Sequence, residues 1–161
     1  MPRRPSLARA ALPAALLLAL SGCGYQVSAG RRLRGGVERA EVRVFENLST
    51  DPSVGIEVTA ALREALARRG VAGDGARAVF DGEVLTDPAP PSFAGGTTQR
   101  VALLVRARLQ VDGVVVAERH FRREADYLAG ADALESEARR AQALRRLAGE
   151  AARDVLSAFE E

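Results

Sequence analysis

The chain has 161 residues, 47% of them apolar and 27% charged, the profile of one globular domain rather than of a disordered segment. A single Cys and a single His exclude an internal disulfide and a Cys-rich or multi-His metal centre. All 23 basic residues are Arg, against 21 acidic residues; a lysine nucleophile, a Schiff base and the Lys of a phosphate-binding loop are excluded with them.

Residues 1–9, MPRRPSLAR, form a short basic stretch, and residues 10–20, AALPAALLLAL, an apolar run too short to span a bilayer. That pattern predicts a cleaved signal peptide over 1–22. Its end, Leu20-Ser21-Gly22-Cys23, resembles a bacterial lipobox. Small residues let the chain enter the protease in extended form, and the Cys23 thiol is the only group there able to take a diacylglycerol thioether. Two or more acyl chains give stable anchoring where one is marginal. Gly24, not Asp, follows the Cys, so the expected destination is the outer membrane, lipid-anchored on its periplasmic side. Removing Arg3, Arg4 and Arg9 with the leader leaves 20 basic and 21 acidic residues, a net charge of −1. The mature chain thus gives no warrant for nucleic-acid binding.

Residues 23–36, polar and rich in Gly and Arg, read as an acylated tether with a short extended piece at Tyr25–Val27. A single domain is expected over 37–161. Alternation over Val37–Phe45, with Val42 and Val44 on one face, predicts a first strand. ENLSTDP is a turn signal. A helix is expected from about Pro52 to Arg69, with Val58, Leu62, Ala65 and Leu66 inward, a Glu64–Arg68 pair outside and Gly70 as its stop. Ala76–Thr86 predicts a second strand with an irregularity at Gly82, and DPAPPSFAGG an irregular loop. Thr97–Val111 alternates most clearly: Val101, Leu103, Val105, Ala107, Leu109 and Val111 share one face. Asp112-Gly113 is a two-residue hairpin turn, leading to a return strand from Val114 to about Arg123 and a connector at 127–130. Asp132 and Glu135 have capping-box spacing. They open a last helix running to about Phe159, with Leu134, Ala138, Ala141, Leu144, Leu147, Ala148, Val155 and Phe159 in its apolar stripe and Gly149 as a weak point. The order predicts a two-layer α/β sandwich, a mostly antiparallel four-stranded sheet with two helices packed on one face.

No nucleophile elbow, dinucleotide fingerprint, phosphate loop or metalloprotease motif is present, so neither an enzyme nor a cofactor is expected. The arginines are more informative. With an undistorted Asp112-Gly113 turn, Arg106 falls opposite Arg119, with Arg108 one diagonal step away and Arg122 further along the return strand. Like charges directly opposite repel. An anion over Arg106, Arg108, Arg119 and Arg122 would relieve this, and Arg suits phosphate. The other reading is a solvated face balanced by Glu118 and Glu124. A one-residue bulge would send Arg119 to the opposite face and bring His120 and Arg122 forward.

Cys23-Gly24-Tyr25 after the lipobox, Phe45-Glu46-Asn47, Ile56-Glu57-Val58, Leu62-Arg63-Glu64-Ala65-Leu66, Asp81-Gly82-Glu83-Val84, the long Arg100–Val111 strand and the closing amphipathic helix occur in an order that resembles the LptE family of lipopolysaccharide-assembly lipoproteins of Gram-negative bacteria. The likeness covers 23–161. It departs where many members carry a Leu-Trp near the return strand; here Val115-Val116-Ala117-Glu118 stands in its place. The resemblance implies a non-catalytic protein that supports folding of the LptD outer-membrane β-barrel, plugs it, and binds lipopolysaccharide on its way to the outer leaflet. A second reading is a periplasm-facing outer-membrane lipoprotein that activates a peptidoglycan synthase. The short tether, at most about 50 Å from Cys23 to the first strand, favours a partner close to the membrane.

Overall fold

The computed structural model describes residues 32–89 and 97–160. The leader, Cys23 and the piece expected at 25–27 lie outside them. The elements are β1 (Ala40–Val42), β2 (Glu46–Asn47), α1 (Val54–Arg68), β3 (Ala78–Ala89), β4 (Thr98–Val111), β5 (Val114–Leu128) and α2 (Ala133–Phe159). The sheet order is β1-β3-β4-β5, with the two-residue β2 also on β3. β1 and β2 run parallel to β3, while β3, β4 and β5 form an antiparallel meander. Both helices pack on one face, giving the expected two-layer sandwich with five strands rather than four.

Expected Val37–Phe45 shrinks to Ala40–Val42. Val42 is buried, but Val44 is 64% exposed, so the two do not share a face. The chain leaves the ladder after Val42, and Phe45 turns its ring into the core. Its N–H finds a new acceptor, the buried Thr59 hydroxyl on α1, at 3.0 Å. The ring lies over Gly82, where an added Cβ would sit 2.6 Å from Phe45 Cε1 and 1.9 Å from the Arg106 carbonyl oxygen. Gly82 is therefore no irregularity, since β3 continues through it; it makes room for a ring and a neighbouring backbone.

α1 buries Val54, Val58, Leu62, Ala65 and Leu66 and ends at Gly70, whose φ of +71° suits a residue without Cβ. β3 outruns its expected end, with Pro88 opposite Val101. Beyond Val84 no strand among the described residues pairs with the other side of β3, so Pro88 sits where the described sheet has an edge. β5 likewise extends through the expected connector to Leu128, where Tyr127 donates its hydroxyl to Gln99 at 2.7 Å.

Asp112 and Gly113 both take positive φ, +52° and +81°, as a primed hairpin turn requires. The register then shifts at Leu109/Gln110: Val111 pairs Val114 and Gln110 pairs Val115, but Leu109 pairs Ala117. Val116 is the extra residue of a bulge.

α2 opens as the sequence predicts. Asp132 accepts the Glu135 N–H at 2.8 Å, and Glu135 reaches back to the Ala131 N–H at 2.7 Å. The helix passes unbroken through Gly149. Its inward stripe is shorter than expected, because Leu134 is 81% exposed and Ala138 is exposed too. The run of buried residues starts at Ala143. Before it, α2 is held by polar contacts: Arg139 donates to the Ala129 carbonyl at 3.1 Å, and Arg140 grips Asp51. The core joins both helices to the inner sheet face, with Phe80 and Phe159 edge-to-face at 5.3 Å. Leu33 belongs to this core. It is buried, exchanges backbone hydrogen bonds with Val37 at 3.0 and 3.1 Å, and bridges to Glu160.

Candidate functional site

Alternation places Asp81, Glu83, Leu85 and Asp87 of β3, Arg100, Leu104, Arg106, Arg108 and Gln110 of β4, and Glu118, His120, Arg122, Glu124 and Asp126 of β5 on the sheet face away from the helices. Among the described residues no helix or strand covers this face. Its charges alternate across the strands. Arg108 binds Asp81 at 2.7 Å, and Gln110 shares that carboxylate. Arg106 makes a bidentate contact with Glu118 at 3.0 and 3.1 Å and approaches Glu83 at 3.5 Å. Arg122 binds Glu124 at 2.8 Å and approaches Asp87 at 3.7 Å. Arg100 binds Asp126 at 2.7 Å.

The expected pairing of Arg106 with Arg119 is not formed. The bulge sets Arg106 opposite His120, Arg108 opposite Glu118 and Arg119 opposite Ala107. Arg119 thus points to the helix side of the sheet, where its guanidinium donates to the Glu118 carbonyl at 2.8 Å. Arg106, Arg108 and Arg122 share the open face, and Arg119 does not join them. Where like charges were expected to repel, carboxylates stand instead. The Arg106 hydrogen bond holds the Glu118 carboxyl below its ordinary value, and Glu118 in turn raises Arg106. Glu124 raises Arg122 in the same way.

Between Arg106 and Arg122 lies a shallow cleft of about 400 Å³ whose floor and walls include Leu48, Leu85, Leu104 and Phe121. Leu48 and Leu85 are exposed. Alternation alone marked Leu104 as outward-facing; Leu85 and Leu48 join it only because β2 and β3 bring them alongside. The outer face therefore combines paired arginines with an apolar island.

Asp51 went unnoticed in the sequence because it sits in a turn signal. It is 6% exposed, and its carboxylate takes both the Arg140 guanidinium and the Thr86 hydroxyl. One acid thus ties the loop before α1 to β3 and α2. Among the described residues no group of His, Cys, Asp and Glu could hold a metal, and no helix is long and apolar enough to cross a membrane.

The family model for LptE, described as lipopolysaccharide assembly, matches residues 37–159. A comparison with curated protein sequences finds no match. Solved structures share the fold. A minor lipoprotein from Acinetobacter baumannii aligns with a TM-score of 0.58 at 15% identity, over 76% of this chain and 91% of that one. A putative lipoprotein from Caulobacter crescentus aligns at 0.52 and 18% identity, over 72% and 87%. The rare lipoprotein B from Shewanella oneidensis aligns at 0.52 and 17% identity, over 71% and 91%. The match over 37–159 assigns the chain to the LptE lipopolysaccharide-assembly family, whose members are non-catalytic lipoproteins anchored by lipid in the outer membrane and facing the periplasm.

Proposed function

We propose that this chain supports folding of an LptD-like β-barrel, plugs it, and binds lipopolysaccharide as that lipid passes to the outer leaflet. The leader 1–22 is removed and Cys23 carries the acyl anchor. The observation that carries the reading, within the family, is the composition of the uncovered sheet face. A ligand that joins phosphates to acyl chains matches a surface that joins Arg106, Arg108 and Arg122 to the Leu48–Leu85–Leu104 island. Because each of these arginines already holds a carboxylate, phosphate binding is an exchange of partners, which favours low salt and lets bound ligand leave again. Arg119, turned to the helix side of β5, is not part of that surface. No bond is broken; the protein competes with lipid–lipid contacts.

Affinity purification of the acylated protein after gentle detergent extraction tests the partner. An outer-membrane barrel is expected in equal amount, and a peptidoglycan synthase in its place would favour the activator reading. Lipopolysaccharide binding by the wild type and by a combined Arg106→Gln, Arg122→Gln variant, at several salt concentrations, tests the surface. The folded variant is expected to bind more weakly at low salt, and equal binding would place the site elsewhere.

A further inference from the structure

α2 turns one face to the core and one to solvent. Its outward row takes every third or fourth residue, Arg139, Gln142, Arg146, Gly149, Arg153 and Ser157, each exposed or half-buried, and carries no acid. Arg145 flanks the row beside Arg146. Arg139 is engaged with Glu135 and the Ala129 carbonyl. Arg145, Arg146 and Arg153 have neither a carboxylate nor a carbonyl partner among the described residues. That sets them apart from Arg106, Arg108 and Arg122 on the sheet, each of which holds a carboxylate. The acids of this stretch of α2 act on β5 instead: Asp154 receives the Arg123 guanidinium at 2.7 Å and, with Glu150, raises Arg123 above its ordinary value. Gly149 sits within the basic run, after Arg145 and Arg146 and before Arg153. Outside the helix's own backbone, the nearest atom to an added Cβ would be Arg153 Nη1 at 3.9 Å. Glycine weakens a helix interior, and no other described group packs where its side chain would be. It leaves a notch in the helix surface.

We propose that this face of α2 docks on an acidic stretch of the barrel's inner wall, Arg145, Arg146 and Arg153 meeting carboxylates there and the Gly149 notch admitting a group of the wall close to the helix. The inference rests on the plug reading. In that reading lipopolysaccharide takes the open sheet face, and both helices lie on the opposite side of the sheet, so the helix layer is what the wall meets. A guanidinium taken out of water without a counter-charge is strongly unfavourable, whereas a carboxylate turns it into a specific, bidentate contact. The described domain supplies no carboxylate to these three arginines, so the surface that covers them must. The interior of a large barrel is polar and has room for such acids. Arg145 and Arg153 are about 12 Å apart along the helix axis, between two and three strand spacings of about 4.8 Å, so acids on neighbouring barrel strands can meet both.

The full acylated chain is co-expressed with its barrel, and the pair is extracted in mild detergent. A photoreactive phenylalanine analogue placed at Gln142, in the same outward row, is expected to crosslink to the barrel. Arg145→Gln, Arg146→Gln and Arg153→Gln together are expected to lower the recovered barrel several-fold and to make the complex wash out at moderate salt. Lys at the same three positions keeps the charge and is expected to restore most of the recovery. Gly149→Gln, which fills the notch, is expected to lower recovery while the chain stays folded by circular dichroism. Equal recovery by wild type and the folded triple Gln variant, with no crosslink from position 142, overturns the docking face and leaves the plug reading standing. A triple Gln variant that keeps the barrel but loses binding to purified lipopolysaccharide assigns these arginines to lipid phosphate, and also overturns it. If the triple Gln variant does not fold, the crosslink from position 142 in otherwise wild-type protein decides, and its absence overturns the docking face. Wild-type protein that recovers no barrel overturns the plug reading and the docking face together.

Discussion

Gly82 and Gly149 show how differently two glycines can be used. At Gly82 a Cβ would fall 1.9 Å from a backbone oxygen that cannot move without breaking the β3–β4 ladder. Gly82→Ala is expected to cost at least the ~1–3 kcal/mol of a typical overpacking change, read as a lower denaturation midpoint. At Gly149 the nearest atom to an added Cβ is the flexible Arg153 tip, 3.9 Å away. Gly149→Ala is therefore expected to stabilise the protein by about 0.5–1 kcal/mol through helix propensity. Both glycines interrupt a periodic pattern, so sequence alone reads both as weak points. Only the approach of the Arg106 carbonyl and the Phe45 ring separates them. The charged residues carry a second expectation. Glu118 lies below its ordinary value chiefly through the Arg106 hydrogen bond, so the folded state gains from that carboxylate being ionised. The gain is present above the unfolded value and is lost as pH falls through the lower folded one. Arg106→Gln is expected to raise the Glu118 carboxyl toward 4.5, its unperturbed value, in an NMR titration. It is also expected to flatten the fall in stability with acid.

Elements that alternate without interruption were legible, and those shaped by one unpaired residue were not. β4, the hairpin turn and the α2 capping box follow directly from alternation, from Asp112-Gly113 and from the Asp132/Glu135 spacing. The bulge was illegible because Val114-Val115-Val116 has no polar partner in its alternation; any of the three fits either face, so nothing local fixes which is left over. That single residue decides whether Arg119 joins Arg106 or turns away from it. The apolar stripe of α2 was overread at its start for a related reason. Leu134 and Ala138 keep the period but are exposed; this end of α2 is held by Arg139 on the Ala129 carbonyl and Arg140 on Asp51 rather than by core. The Asp51–Arg140–Thr86 cluster is what holds that part of α2. Removing one partner of a buried pair leaves an uncompensated charge, so Arg140→Met is expected to cost about 3 kcal/mol. Asp51→Asn with Arg140→Met together is expected to recover part of it. A double-mutant cycle in urea measures both, and additive losses would show that the pair is not coupled.

At the scale of the whole molecule, the domain closes on itself through its two ends. Leu33 lies where the sequence suggests a tether, among Arg and Gly residues, and a lone Leu in such company carries no periodicity to reveal it. In the fold it is buried against the end of α2: Arg34 donates its N–H to the Phe159 carbonyl at 2.8 Å, and Leu33 bridges to Glu160. Arg69, at the end of α1, pairs with the Glu160 carboxylate at the same place. The junction therefore joins the first described residues to the last turns of both helices, next to the edge-to-face pair of Phe159 and Phe80. A buried Leu cut to Ala typically costs about 2–5 kcal/mol, and Leu33→Ala is expected to fall in that range. The full chain and the Leu33→Ala variant, compared by urea unfolding, give the equilibrium cost. Hydrogen exchange at Val37 and Glu160 then locates it. Since the Val37 N–H is bonded to the Leu33 carbonyl at 3.1 Å and the Glu160 N–H to the Leu156 carbonyl at 3.0 Å, both amides should lose protection together. The β4–β5 amides, which lean on α2 and β3 instead, should keep theirs below the global unfolding limit. Loss of protection at Val37 alone would mean that the N-terminal segment frays independently, and that the anchor-proximal end is a flexible strap rather than part of the packed domain.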